Sequence, residues 1–304
     1  MFMEHLTIFT PAYNRATLLE RCYRSLQRQT NKDFIWFVID DGSTDNTREV
    51  VSKWISENND FEIRYYYKEN GGLHTAYNEA IAHLETELAV CIDSDDYMPD
   101  NAVEIILNFW RKNGSDKYAG ITGLDFDANT NKNIGGYYPE NQKSINLIDV
   151  LVGRYPTVYG DKKHVVRSAL YKQVPPMKSF PGEKNFNPHY FHLEISRNYD
   201  FLIINENLCY VDYQDAGMTN NMMWQYYNSP NSFAEIRLHY LSFGNLPLKF
   251  KVKSCVHYDS SCILAGRKHF IRQCPYRVIA TICLPFGFLL SRIILFKNRK
   301  KKDQ

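Results

Sequence analysis

Four short apolar runs, at residues 6–10, 34–39, 63–67 and 88–92, recur through the first third of the chain with an amphipathic stretch in each gap. That rhythm narrows the choice of folds more than any other feature. Strands that alternate with helices of this length pack as successive βαβ units around a mostly parallel sheet. Leu18, Leu19, Cys22 and Leu26 recur at helical spacing within 17–29. Val50, Val51, Trp54 and Ile55 form a second apolar face, and Ala76, Ala80, Ile81 and Leu84 a third. Thr17 and Glu20 have the spacing of a capping box. With 304 residues, 44% of them apolar, the chain can bury one large core, or a core domain with a smaller annex.

In open α/β sheets, ligands bind beyond the carboxyl ends of the strands, so the residues that follow each run carry the functional expectation. After the fourth run comes Cys91-Ile92-Asp93-Ser94-Asp95-Asp96, the densest concentration of negative charge in the chain. A strand continued through this point would project Asp93 and Asp95 on one side. Such a pair offers hard oxygen ligands to Mg²⁺ or Mn²⁺, with the phosphates of a diphosphate substrate completing the shell. The same acids would also suit the start of a helix near Pro99. After the first run, Thr10-Pro11-Ala12-Tyr13-Asn14-Arg15 combines a turn stiffened by Pro11 with a ring, Tyr13, on which a base can stack. After the second, a carboxylate of Asp40-Asp41-Gly42-Ser43-Thr44-Asp45 can accept hydrogen bonds from a ribose or a nucleobase, or serve as turn and cap. After the third, Asn70-Gly71-Gly72-Leu73-His74-Thr75-Ala76-Tyr77-Asn78 leads into a helix whose first amides can face an anion. Its glycines do not have phosphate-loop spacing, which excludes a Walker-type nucleoside triphosphatase.

Taken together and in this order, the four motifs resemble those of the family 2 glycosyltransferases over residues 5–125. The resemblance implies a GT-A fold, an α/β nucleotide-sugar-binding domain, and inverting transfer of a sugar from a nucleotide diphosphate donor. By the same resemblance, Pro11, Tyr13 and Asp41 line the nucleoside pocket with Thr10, Ala12, Asn14 and Arg15. Asn70, His74 and Asn78 flank the donor, Asp93 and Ser94 lie near the ribose, and Asp95, with Asp93, holds the metal. In a displacement at the anomeric carbon the leaving diphosphate gains negative charge, which a bound cation stabilises, and the acceptor hydroxyl needs a base.

The later half is similar to bacterial members that build surface polysaccharides. Phe180-Pro181-Gly182-Glu183-Lys184-Asn185-Phe186 reads as a loop, followed by a helical stretch over 190–197. In the relatives an acidic residue follows such a loop closely, whereas here Asn187-Pro188-His189 brings a histidine. Glu183 is therefore the first candidate base and His189 the second, with Asp161 and Asp215 behind them. Asp212-Tyr213-Gln214 stands where relatives often carry a histidine ligand, so no protein ligand is assigned there. The expected division is a catalytic domain over 1–228, in halves 1–125 and 126–228, a helical annex over 229–274 and an apolar, basic tail over 275–304.

The tail runs from Val278 to Phe296 with only Arg292 charged, then becomes Lys297-Asn298-Arg299-Lys300-Lys301-Lys302. Pro285 and Gly287 interrupt its middle, which favours a helix lying in a membrane interface, its basic end on anionic headgroups, over one that spans. A cytoplasmic protein on the inner face of the cell membrane is expected. No secretory leader is evident, and seven cysteines without a Cys-x-x-Cys pair suit a reducing compartment. A net charge of +2 argues against nucleic acid as a partner. Two other classes stay open on sequence: a non-catalytic nucleotide-sugar-binding relative, and a phosphohydrolase of the haloacid dehalogenase type, whose nucleophile strand Ile92-Asp93-Ser94-Asp95 also resembles.

Overall fold

The computed structural model describes residues 5–214 and 221–302. In chain order the elements are β1 (Leu6–Ala12), α1 (Leu19–Gln27), β2 (Phe34–Asp40), α2 (Thr47–Ser56), β3 (Glu62–Tyr67), α3 (Leu73–Ala82), β4 (Leu88–Cys91), α4 (Ala102–Asn113), β5 (Tyr118–Asp127), β6 (Lys132–Asn133), β7 (Ser144–Ile145), α5 (Leu147–Leu151), β8 (Lys162–Arg167), α6 (Ser168–Gln173), α7 (His189–Ile195), β9 (Asp200–Val211), α8 (Met222–Asn228), α9 (Pro230–Leu241), α10 (Leu248–Leu264) and α11 (Arg277–Lys302). They fall into two compact units: residues 1–176 with 191–213, and residues 177–190 with 214–304. These limits differ from the sequence-based lines at 228 and 274, because the loop at 177–190 packs with the C-terminal helices.

The first unit is built on one nine-stranded sheet in the order β3-β2-β1-β4-β8-β5-β9-β7, with β6 beside β5. β3, β2, β1 and β4 are mutually parallel, as alternating strands and helices require. Every residue of β1 and β2 is buried, the mark of strands covered on both faces. Under them Tyr23 stacks on Trp54 at 4.4 Å and on Trp36 at 5.8 Å, so α1 and α2 are pinned to β2 through three rings. Then the pattern breaks. β8 enters antiparallel between β4 and β5, and β9 lies parallel to β5. Two local expectations are corrected. The capping box at Thr17 does not form: α1 starts at Leu19, whose N–H is taken by the Arg15 carbonyl at 2.9 Å. The fourth strand stops at Cys91, before the acidic run.

The second unit is helical. α11 continues through Pro285 without a break, where an interruption was expected. It turns Ala280, Cys283, Gly287, Ser291 and Ile294 inward and leaves Val278, Ile282, Phe286, Leu289, Ile293 and Phe296 exposed. A Cβ at Gly287 would lie 2.5 Å from the Cβ of Asp259, so this glycine lets α10 and α11 approach closely. Asp259 is fully buried and neither of its carboxylate oxygens has a hydrogen-bond partner among the described residues. Burial, reinforced by the Cys274 thiol, pushes its carboxyl up to about 7. A carboxyl raised in the folded state is protonated at low pH at no cost, and its ionisation becomes a growing penalty between the unfolded value and the folded one. The second unit should therefore lose about 2–4 kcal/mol of stability between pH 5 and pH 8. Thermal unfolding across that range should show the decline, and Asp259→Asn should flatten it.

Candidate active site

The carboxyl ends of β1, β2 and β3 are stitched together by their own loops. β1 runs two residues further than the apolar pattern indicates, so Thr10, Pro11 and Ala12 are buried strand residues. Thr10 accepts the Trp36 indole N–H at 3.0 Å, which commits its hydroxyl to the core. Exposure begins at Tyr13, 46% accessible. Asn14 follows in a left-handed conformation (φ 53°), and its side-chain oxygen accepts the Thr44 amide at 2.8 Å, tying the first loop to the second. Arg15 donates its backbone N–H to the Thr47 hydroxyl.

Asp41 is the centre of this stitching. It is 3% exposed, and its carboxylate accepts the amides of Gly71 (2.9 Å) and Gly72 (2.7 Å), the Lys68 ammonium (2.7 Å) and the Asn70 side chain (3.1 Å). In the structure Asp41 holds the Asn70-Gly71-Gly72 loop in shape, a role additional to the nucleoside contact that the resemblance implies. Gly42, at φ +79°, lies so close to this loop that a Cβ would sit 2.6 Å from the Asn70 nitrogen. Lys68, the cation that balances Asp41, was missed; its position just after an apolar strand was the available signal. His74 is buried in the first turn of α3, with Asn78 one turn later.

The acidic run is a turn, not a strand continuation: the Asp96 amide donates to the Asp93 carbonyl at 3.0 Å. Strand alternation therefore cannot be what relates Asp93 to Asp95. Asp93 is exposed, Ser94 and Asp96 buried, and Asp95 half-buried. Burial raises the Asp95 carboxyl above its ordinary range, and the neighbouring Asp93 charge raises it further, against the opposing pull of Arg15 and Arg21. Negative charge thus accumulates on oxygens at the edge of the sheet, a donor set suited to a hard divalent cation. Among the described residues, no three His, Cys, Asp or Glu side chains converge on one metal position. Among the described residues, this pair supplies the carboxylates for such a cation. Arg21 was also missed, and Asp96, part of the acidic run, had no role of its own; both clamp the turn. Arg21 donates to the Asp95 carbonyl and pairs with Asp212 at 2.7 Å, while Asp96 accepts the Asp212 amide at 3.1 Å. Tyr97 and Tyr210 exchange backbone hydrogen bonds of 3.1 and 2.7 Å and stack at 4.9 Å.

The candidate bases belong to the second unit. Glu183 is buried and saturated: one oxygen accepts the Asn231 amide (2.8 Å) and side chain (2.9 Å), the other the Ser232 amide (2.7 Å) and hydroxyl (2.6 Å). A carboxylate that caps the first turn of α9 in this way has its lone pairs engaged. His189 opens α7 with its amide on the Asn187 side chain. In the first unit, Asp161 accepts the Tyr213 hydroxyl. Asp215 and the Ala216-Gly217-Met218-Thr219 stretch lie outside the described residues.

The model of glycosyl transferase family 2 matches residues 7–161. The chain belongs to this family. Its fold is GT-A, with a helical C-terminal region. Over 107 residues the family member is 38% identical to the chondroitin synthase of Pasteurella multocida strain Pm70, a match covering 35% of this chain and 11% of that protein. It is 27% identical over 158 residues to the GalNAc(5)-diNAcBac-PP-undecaprenol beta-1,3-glucosyltransferase of Campylobacter jejuni, covering 50% of this chain and 49% of that one. The chain therefore spans at most about half the length of these two relatives. Among solved structures, residues 1–349 of S. aureus TarS in complex with UDP-GlcNAc share the fold, with a TM-score of 0.58 at 17% identity, over 98% of this chain and 92% of that one. The phosphohydrolase alternative is not favoured: Asp93 follows the fourth strand of a family 2 sheet, not the first strand of its own domain.

If Asp41 shapes the glycine loop, Asp41→Ala should leave Lys68 without its counter-ion and two amides unpaired, and cost about 3–5 kcal/mol. Urea denaturation of the variant against the parent protein measures this; a loss within experimental error would remove Asp41 from that role.

Proposed function

We propose that the protein is an inverting glycosyltransferase that moves a sugar from a nucleoside diphosphate donor, a UDP-sugar, to a saccharide or lipid-linked acceptor during assembly of a bacterial surface polysaccharide. The observation that carries this reading is the gathering, in a family 2 chain, of the Tyr13 ring, the Asp41-held glycine loop and the Asp93–Asp95 turn at the carboxyl edge of one parallel sheet. UDP-GlcNAc in TarS and the undecaprenol-linked acceptor named for the Campylobacter enzyme support the donor and acceptor classes.

In this reading the base of the donor stacks on Tyr13, above Pro11 and Ala12, while Asn14 and Asp41 keep the surrounding loops in place. Asn70, His74 and Asn78 face the donor from the start of α3, and Ser94 and Asp93 its ribose. Asp95, with Asp93, holds Mn²⁺ or Mg²⁺, which when bound stabilises the charge on the departing diphosphate. Arg15 and Arg21 act on the same region, since both lie within electrostatic reach of Asp95. The base falls to His189, because the oxygens of Glu183 are already engaged in holding α9.

The C-terminal helix supports residence on a membrane. Arg277–Arg299 is long and apolar enough to cross one. Its pattern is inverted relative to a soluble helix, with small residues packed inward and large apolar ones exposed. Small residues at the helix contact and apolar ones outside suit a lipid environment. With Arg292 on that helix and the basic run beyond it, an in-plane helix on an anionic surface is the arrangement we assign.

Three measurements test these assignments. Nucleoside diphosphate release from a panel of UDP-sugars with Mn²⁺ should fall by orders of magnitude in Asp95→Asn, since cation stabilisation of the leaving group accounts for several kcal/mol of the barrier. His189→Ala should lower kcat by about 10²–10⁴ with donor affinity retained, whereas Glu183→Gln should chiefly lower Tm; the reverse pattern would return the base to Glu183. Vesicles containing anionic lipid should float the protein, and a triple change of Phe286, Leu289 and Ile293 to serine should leave it in the soluble fraction.

A further inference from the structure

β8 is the one strand that runs antiparallel beside β4, pairing Leu88 with Arg167 and Val90 with Val165. β4 ends at Cys91, so the first residues of β8 extend past it, alongside the acidic turn; the same register continued would set Lys163 opposite Ile92. On its other edge β8 pairs Lys163 with Gly123 of β5, and Asp125 stands two residues further along that strand, on the same face. The Lys163 ammonium lies 3.8 Å from Asp125 Oδ1, with side chains only 11% and 3% exposed. Asp125 Oδ1 has no hydrogen-bond partner among the described residues, which leaves the ion pair as its compensation. Burial alone would push the Lys163 ammonium down; the charges of Asp125, Asp96 and Asp93, with the Cys209 thiol, outweigh it and hold the group protonated. A buried, charged lysine therefore lies within electrostatic reach of Asp93, one of the two carboxylates that the donor site offers a divalent cation, and of Asp96 beside them.

We propose that Lys163 is the resident countercharge of the donor site: it balances the acidic turn when no donor is bound and weakens cation binding there until a diphosphate brings negative charge, so that cation and donor enter together. Two cations drawing on one set of carboxylates repel each other, and the repulsion is offset when phosphate oxygens attract both. Lys163 is thus a positioning residue that acts through Asp93 and Asp96. The inference rests on the reading of the Asp93–Asp95 turn as the cation site.

The test is Mn²⁺ titration of the full chain, with free Mn²⁺ read by its electron paramagnetic resonance signal, with and without UDP. Without nucleotide, Lys163→Met should bind Mn²⁺ at least about tenfold more tightly than the parent protein, because the Coulomb repulsion between the ammonium and the dication is gone. A purely structural role would loosen the site instead. With saturating UDP the two proteins should converge, and Lys163→Arg should match the parent throughout. Asp125→Asn, which strips Lys163 of its partner, should weaken nucleotide-free binding several-fold, and it carries the test if Lys163→Met does not fold. Equal or weaker binding by folded Lys163→Met, or unchanged binding by Asp125→Asn, overturns the proposal. Asp95→Asn separates the two levels: if Mn²⁺ binding with UDP is insensitive to it, the donor-site reading fails. If Asp95→Asn abolishes binding while Lys163→Met does not tighten it, only the role of Lys163 fails.

Discussion

Negative charge at the carboxyl edge of a buried sheet has to be balanced where it stands. Asp41, Asp93, Asp95, Asp96 and Asp125 all occupy that edge, several of them with little access to water. Uncompensated carboxylates there would carry a desolvation cost of several kcal/mol each. The chain answers each with a nearby cation or a set of N–H donors: Lys68 and two glycine amides for Asp41, Arg15 and Arg21 near Asp95, Lys163 for Asp125 and the turn. The loops keep their shape because these pairings do, and the site inherits its geometry from them.

The parallel half of the fold was legible because its information is local. Runs at 6–10, 34–39, 63–67 and 88–92 became Leu6–Ala12, Phe34–Asp40, Glu62–Tyr67 and Leu88–Cys91, with helices between. Buried strands and amphipathic helices declare themselves within a few residues. The pairing of β8 with β4, and the meeting of Tyr97 with Tyr210, did not, because each joins residues far apart in the chain through ordinary-looking segments. The site divides along the same line. Motif residues stand at the sheet edge as their sequence order indicates, but their partners Lys68, Arg21 and Lys163 came from outside the motifs. Glu183 shows the converse: a polar residue in a Pro- and Gly-bearing loop looks available for chemistry, and only the opening of α9, nearly fifty residues later, reveals that its oxygens are taken.

The helical unit follows a different logic. Composition identified α11 as apolar, and the expectation that Pro285 and Gly287 would break it came from intrinsic propensity. Packing overrides that propensity. At Gly287 α10 approaches so closely that a Cβ would lie 2.5 Å from that of Asp259, and the inward stripe through Ala280, Cys283 and Ser291 is of small residues. Asn298 near the end of the helix returns a hydrogen bond of 3.0 Å to the Met223 carbonyl, so the far end of α11 is tied down by a polar contact. What the helix withholds from its neighbours is its bulk.

The placement of β8 also sets an order of events. Residues 6–91 supply four strands that pair with one another, β1 with β2 and β4 and β2 with β3, so this part can assemble once β4 has been synthesised. The open flank of β4, and the acids just beyond it, wait for a strand that begins at Lys162, some seventy residues later on the chain. Until then the nascent sheet exposes an unpaired edge of its most apolar strand, which is the state most open to non-native strand pairing. Closing that edge and delivering the Lys163 charge are one step: the strand that completes the pairing of β4 is also the one that neutralises the rim beyond it.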